Sequence, residues 1–344
     1  MADDSQQQSS NTLQKAGSPL SRKLMFGLLL GFGVFIILIL VGDVRQIGSE
    51  VRSFPWQIMP AVLGLTLWNY LLRFIKWHYF LKQVKVPKLP VLESARLFVA
   101  GFPLAVTPGK VGETLKGVWL NQMTGFPTAM GVSVVLAERI SDGLAMLVLS
   151  AVGVIAYRRY WPAFAIVLGL LLGAVVISQI RPLAQYLLSW GPRLPLVRRF
   201  ASSINDFYEG TFTLFRPWTT FVSVSLGTIS WLAEGIGFYL ILLGFGVAPG
   251  VGTLSIAIFV LSFSTVIGAI SALPGGLLAT DASIVGMLVL LLDMDANTAA
   301  AATLLIRFAT LWFGVGIGFI TWFFSRDMLI VRINQDEHQE SPAE

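Results

Sequence analysis

The stretch VTPGKVGETLKGVWL, residues 106–120, interrupts a chain that is otherwise rich in long apolar runs. It brings two lysines, a glutamate and a Pro-Gly pair into a position where hydropathy alone predicts an uninterrupted membrane helix. Proline removes a backbone donor and breaks an α-helix, and glycine adopts conformations that other residues avoid. The stretch therefore predicts a broken helix at membrane depth, which is tolerated only where protein or a water-filled cavity satisfies the backbone.

The composition around this stretch is that of an integral membrane protein. Of 344 residues, 55% are hydrophobic and 12% are charged, and the mean hydropathy is +0.74. Several apolar runs reach the roughly 20 residues that cross a bilayer core of about 30 Å, which predicts an all-α, polytopic helical bundle. The absence of cysteine excludes disulfides and thiolate chemistry. The net charge of +5 lies mostly in loops, which argues for membrane topology and against a nucleic-acid partner.

Apolar runs and basic loops predict the topology of a transmembrane domain over residues 23–326. Full spans are predicted at 24–41, 55–72, 127–157, 163–180, 219–245 and 299–324, with a loop at 43–52. Basic residues favour the cytoplasmic side. This rule places both termini and the linker 181–217 in the cytoplasm, together with Arg73, Lys76, Lys82, Lys85 and Lys88. The tails 1–22 and 327–344 are polar and are predicted to be disordered.

The two halves of the domain, 55–180 and 219–325, share one pattern in opposite orientation. Residues 92–120 begin and end inside, whereas residues 252–292 begin and end outside. Two interpretations stay open, because each segment forms either a re-entrant hairpin or a pair of short full spans, giving eight spans in all. Inverted repeats with broken helices indicate a transporter site near the midplane. The matched elements are Pro108, Gly109, Glu113 and Arg139 in the first half and Pro274, Gly275, Asp281 and Arg307 in the second.

Charged residues occur deep within the predicted spans. The sequence VVLAERISDGLAMLVL places Glu138 about 15 Å from the cytoplasmic end of its span. Each buried charge costs roughly 2.5 to 3.5 kcal/mol, so pairing must offset most of this cost. Arg139 and Asp142 have the i,i+3 spacing that pairs along a helix, and Glu138 and Asp142 share a face that should point into the bundle. Glu234 is also at mid-depth. Glu138, Arg139 and Asp142 include two acids and one base, so one carboxylate of this span needs a partner elsewhere. The candidates are Lys110, Lys116 and Arg307.

These charges either join helices as structural ion pairs or line a polar cavity. A cavity would suit an anion such as a phosphate, because a helix end offers free N–H groups and the lysines and arginines are close. The glutamates would then balance a cationic part of the guest or carry protons.

The sequence lacks the motifs of nucleotide binding and of serine hydrolases. The TPGK sequence lacks the remaining glycine and the Ser or Thr of a P-loop, and no strand precedes it. No Gly-x-Ser-x-Gly elbow occurs, and the chain has two histidines. No cofactor, metal or catalytic residue is therefore predicted. Interfacial positions are predicted for Trp56, Trp68, Trp77, His78, Tyr79, Trp161 and Trp322.

Four motifs occur in the order, and at about the spacing, of a known family. They are PGKVGETLKGVWL, AERISDGLAM, LPGGLLATDASIVGMLVLL and LLIRFATLWFGVGIGF. The chain resembles the lysylphosphatidylglycerol synthase transmembrane region, a flippase-like domain that also occurs as free-standing proteins. The resemblance implies handling of a lipid with a charged head group, such as a phospholipid, an aminoacyl-phospholipid or a polyprenyl phosphate. The aminoacyl-transfer domain of the synthase branch has no counterpart here, so we expect no enzyme.

The resemblance also implies a set of binding residues. Leu278, Thr280 and Asp281 depart from the family pattern in the second Pro-Gly motif. The predicted lipid-binding residues are Pro108, Gly109, Lys110, Gly112, Glu113, Lys116, Glu138, Arg139, Asp142, Pro274, Gly275, Gly276, Asp281 and Arg307. The leading hypothesis is a multi-pass inner-membrane lipid transporter or flippase-like protein that binds an anionic head group between the two hairpins. The alternatives are an accessory subunit that presents a lipid to a lipid-synthesising enzyme, and an intramembrane enzyme with Glu113 or Asp142 as general base.

Overall fold

The computed structural model describes residues 44–156, 161–181 and 201–325. The predicted tails, the predicted first span 24–41, most of the turn 158–162 between two predicted spans and residues 182–200 of the linker lie outside this part of the chain. The described α-helices are α1 (Val44–Ser53), α2 (Met59–Gln83), α3 (Val91–Ala100), α4 (Leu115–Thr124), α5 (Thr128–Ala156), α6 (Trp161–Gln179), α7 (Ala201–Leu214), α8 (Pro217–Gly244), α9 (Val251–Ile270), α10 (Ala279–Leu292), α11 (Ala296–Arg307) and α12 (Phe313–Phe324).

The described residues form an all-α polytopic bundle, as predicted. Helices α5, α6 and α8 begin and end within two residues of the predicted spans. Among the described residues, five segments are long and apolar enough to cross a membrane: Trp56–Gln83, Pro217–Gly244, Val251–Ile270, Pro274–Leu292 and Ala296–Phe324. Helix α5 has 29 residues and is about 44 Å long, which also suffices to cross the core.

Two helices lie where the sequence predicted a loop and a linker. Residues 43–52 contain most of α1, in which Ile47 is only 4% exposed and Val51, four residues later on the same face, packs against the core. The linker 181–217 contains α7, whose Gly210 lies against Ser133 of α5. The apolar residues of both helices are separated by polar and charged ones, so neither segment contains a long apolar run.

Helices α2 and α8 pack against each other and run antiparallel. Val62 lies against Gly237, Asn69 bonds to Ser230, and Lys76 lies near Gly227, so residue numbers fall on α8 as they rise on α2. These helices open the two halves of the chain. The second half is therefore inverted relative to the first.

A hairpin follows the opening helix in each half. Hairpin 1 consists of α3, two 3₁₀ segments (Phe102–Val106 and Pro108–Thr114) and α4; hairpin 2 consists of α9, the 3₁₀ turn Pro274–Gly276 and α10. Helices α3 and α4 have 10 residues each, about 15 Å, which is too short to cross the core and fits the re-entrant interpretation. Helix α9 has 20 residues, about 30 Å, and reaches the length of a full span.

The tips of the two hairpins meet. The Gly109 N–H donates to the Ala272 carbonyl oxygen at 2.8 Å. Gly109 and Gly275 have φ of 59° and 61°, a region in which residues with a Cβ are strained. The halves also interlock, since Gly153 of α5 lies against Phe259 of hairpin 2 and Gly318 of α12 lies against Pro103 of hairpin 1.

Candidate functional site

The charged residues of α5 form the centre of a buried ion-pair network. Glu138 is 0% exposed, and its carboxylate accepts from Lys116 Nζ at 2.7 Å, Arg139 Nη2 at 2.7 Å and Arg73 Nη2 at 3.2 Å. Glu138 and Asp142 are one turn apart and both buried, as the spacing predicted. Because each charge faces an opposite one, the network reduces the cost of burying charge in the membrane.

Asp142 joins three cations to the same network. It pairs with Lys76 Nζ, lies 3.5 Å from Arg139 Nη2 and lies 3.7 Å from Arg73 Nε. The Arg139–Asp142 pair has the predicted i,i+3 spacing along α5.

The predicted cytoplasmic position of Arg73 and Lys76 is wrong. Helix α2 continues to Gln83, so both residues lie within it, and Lys76 is 0% exposed. The i,i+3 spacing of the two basic residues within an apolar run indicates that the helix continues through them, with both side chains on one face. Trp77 was predicted at the membrane interface, yet it is also 0% exposed and lies under Lys116, whose Nζ is 4.5 Å from its ring centroid.

The same arginine-to-acid contact occurs in both halves. In the first half, Arg139 Nε lies 3.2 Å from Glu113 Oε2 of hairpin 1. In the second, Arg307 Nε lies 2.9 Å from Asp281 Oδ1 of hairpin 2. Each arginine lies on the helix that follows its own hairpin, so the contact fastens that hairpin to the bundle.

Arg307 and Asp281 also shape the tip of hairpin 2. Arg307 Nη2 donates to the Gly275 carbonyl oxygen at 2.8 Å. Asp281 Oδ2 accepts from the Leu278 N–H at 3.0 Å and so caps the start of α10. Arg307 thus contacts hairpin 2 through two of its guanidinium nitrogens, Nε and Nη2.

A cavity of about 110 Å³ lies between the hairpin tips and the opening helices. It is partly open and has room for several water molecules or a small anionic group. Of the predicted residues, those that line it are Lys110, Glu113, Lys116, Glu138, Arg139, Gly275, Gly276 and Arg307. Gly109, Gly112, Asp142, Pro274 and Asp281 are not among the lining residues, and Pro108 begins the second 3₁₀ segment of hairpin 1.

Sequence reasoning missed several cavity residues on the opening helices. Tyr70 and Arg73 reach the cavity from α2, and Trp231 and Glu234 reach it from α8. The Arg73 guanidinium lies 5.6 Å from the ring centroid of Trp231, a cation–π distance. The sequence predicts the depth of Glu234, but it does not show which neighbouring helices this side chain faces.

The fold and site together define a polytopic helical membrane protein in which two opposed hairpins enclose a charged cavity. The chain belongs to the lysylphosphatidylglycerol synthase TM region family, which it matches over residues 26–318. The resemblance read from its motifs is thus confirmed. It is also similar to a UPF0104 membrane protein of Methanothermobacter thermautotrophicus, with 24% identity over 314 residues that cover 83% of this chain and 89% of the relative.

Proposed function

We propose that this protein binds a membrane lipid by an anionic head group in the cavity and moves it between the leaflets. The family membership supports a lipid-related role in a membrane. The observation that carries the proposal is the charged cavity at the junction of two opposed hairpins, in a bundle whose halves are inverted. Inverted halves that meet at broken helices are the usual construction of alternating-access transporters.

The negative charge of the proposed head group is inferred from the charged residues around the cavity. Lys110 lines the cavity from the tip of hairpin 1 and has no ion-pair partner among the described residues. Lys116 and Arg139 also line the cavity, and each is already paired with a glutamate. An anionic group placed beside Lys110 would therefore find an unpaired positive charge in a region of low dielectric constant, where such an interaction is strong.

Lipid analysis of purified Lys110→Gln tests this assignment. We expect one anionic lipid class to be enriched with the wild-type protein and depleted in the variant, as measured by mass spectrometry of the co-purified lipids. Lys82→Gln is the matched control, since Lys82 is exposed on α2 and is expected to leave retention unchanged. Retention of only the bulk membrane mixture by all three proteins would contradict the site.

A reconstituted assay separates transport from binding. Vesicles with the protein and a tail-labelled phosphatidylglycerol are treated with a membrane-impermeant quencher, and faster loss of the protected signal than in empty vesicles is expected. Lipid retention without faster exchange would favour the accessory role, in which the protein presents a lipid to a partner enzyme.

A further inference from the structure

Glu234 is a buried acid that the ion-pair network does not include. It lies on α8, about 15 Å from the end of that helix at Gly244, and is 2% exposed. Its side chain reaches the cavity, and its Oε2 has no hydrogen-bond partner among the described residues. The residue thus combines burial, access to the cavity and an unsatisfied oxygen.

The other buried carboxylates serve as an internal comparison. Among the described residues, Glu113, Glu138, Asp142 and Asp281 each have a cation within 4.0 Å, whereas Glu234 has none. An isolated carboxylate at this depth carries a large desolvation cost unless a positive charge neutralises it. A proton does so without any rearrangement of the neighbouring helices.

The groups that face Glu234 explain why no cation of the described residues neutralises it. On α2, Arg73 is engaged by Glu138 and Asp142, and the Tyr70 hydroxyl donates to the Thr310 carbonyl oxygen at 3.1 Å. On α5, Asp142 is itself negative and disfavours a second charge nearby. On α11, Arg307 is held by Asp281 and Gly275. Helix α9 contributes no titratable side chain.

We propose that Glu234 is a proton-binding residue that gains and loses one proton as the lipid moves. The inference rests on the proposed function for its coupling to transport. In the protonated state an O–H bond forms at the carboxylate and the residue is neutral. Deprotonation returns the proton to water in the cavity, and no oxidant or reductant takes part. The arrival of an anionic head group favours the protonated state, because it would otherwise bring a negative charge close to an ionised Glu234 that has no cation of the described residues within 4.0 Å.

Vesicles with an imposed pH gradient test the coupling. In the wild-type protein, the gradient is expected to make labelled phosphatidylglycerol move faster in one direction across the membrane than in the other. The same response is expected in the control Glu209→Gln, which changes a solvent-accessible acid on α7. In Glu234→Gln, the ratio of the exchange rates measured with and without the gradient is expected to fall to one, whichever way the gradient points. Glu234→Asp is expected to keep the response. A full response in Glu234→Gln would overturn the proposal.

A second lipid distinguishes proton binding from recognition of the head group. With phosphatidylethanolamine, whose head group carries an ammonium, a Glu234→Gln defect confined to this lipid would overturn the proposal and make Glu234 an ammonium ligand. Equal loss of the gradient response for both lipids supports proton binding.

Infrared difference spectroscopy tests the proton site without any transport. A pH step on the purified protein is expected to produce a protonated-carboxyl band in the wild type that Glu234→Gln lacks. If that band is present while the wild type exchanges no lipid, the proton site stands and the proposed function fails. Absence of the band from the wild type at every pH overturns the inference.

Discussion

Glu138 shows how one carboxylate can stabilise several charged side chains inside a membrane bundle. One carboxylate with 0% exposure receives donors from three helical elements, through Arg73, Lys116 and Arg139. Removing such a group from water costs desolvation free energy, but hydrogen bonds to several cations offset much of it. The residue thereby joins α2, hairpin 1 and α5 at one point.

Glu138→Gln is expected to destabilise the protein by about 3 to 5 kcal/mol, because the buried Lys116 and the partly buried Arg73 and Arg139 would lose their shared counter-ion. The measurement is thermal unfolding of the detergent-solubilised protein. Glu209→Gln removes an exposed carboxylate that lies 3.7 Å from Arg181, and should cost about 0 to 1 kcal/mol. Equal melting temperatures for the two variants would show that the buried network contributes little to stability.

At the scale of elements, the hairpin tips are held by contacts between halves. Gly109 of hairpin 1 donates to Ala272 of hairpin 2, and Val106, Leu277 and Val315 form a small buried cluster beside them. Ala272 and Leu278 have positive φ without being glycine, with values of 53° and 66°. Strained backbone of this kind persists only where the surrounding structure supports it. The π-helical turn Phe308–Trp312 directly after Arg307 widens the last span at the same level.

A cysteine pair tests the contact between the tips. The chain has no cysteine, so Gly109→Cys with Ala272→Cys gives a cross-link without background. A short bifunctional maleimide is expected to link the two positions in the folded protein, detected as a mobility shift after cleavage between the halves, and to slow lipid exchange. Each single variant should show neither effect. Absence of a link in folded protein that has reacted at both cysteines would contradict the tip-to-tip arrangement.

At the scale of the whole molecule, the antiparallel packing of α2 and α8 determines which side each hairpin starts from. Asn69 and Ser230 exchange hydrogen bonds of 3.0 and 3.2 Å where the two helices cross. The end of α2 and the start of α8 therefore share one side of the membrane. Hairpin 1 starts from that side and hairpin 2 from the other.

Labelling of single cysteines in sealed vesicles tests this topology. Lys88→Cys precedes hairpin 1 and Ala248→Cys precedes hairpin 2, and both positions are exposed. We expect an impermeant maleimide added outside right-side-out vesicles to label Ala248→Cys directly and Lys88→Cys only after permeabilisation, because the basic loops favour the cytoplasm. Labelling of both from the same side would contradict the inverted arrangement.

Much of the architecture could be predicted from local patterns. Apolar runs located α5, α6, α8 and the last span, and the Pro-Gly pairs located both hairpin tips. The i,i+3 and i,i+4 spacings on α5 correctly indicated which charges share a face. The end of the second predicted span was wrong because a charge count treats Arg73 and Lys76 as loop residues, although partners on other helices satisfy them.

Composition, run length and the order of motifs by themselves determined the class, the family resemblance and the position of the broken helices. These properties are local, since a helix needs only its own apolar length to span the membrane and a proline breaks it wherever the chain leads. Only the tertiary structure decided which charges are paired and which are left to the cavity. Arg73 meets Glu138, 65 positions away, while Glu234 meets no cation among the described residues. Such pairings depend on how the helices pack, and a helix periodicity identifies a face without naming its neighbour.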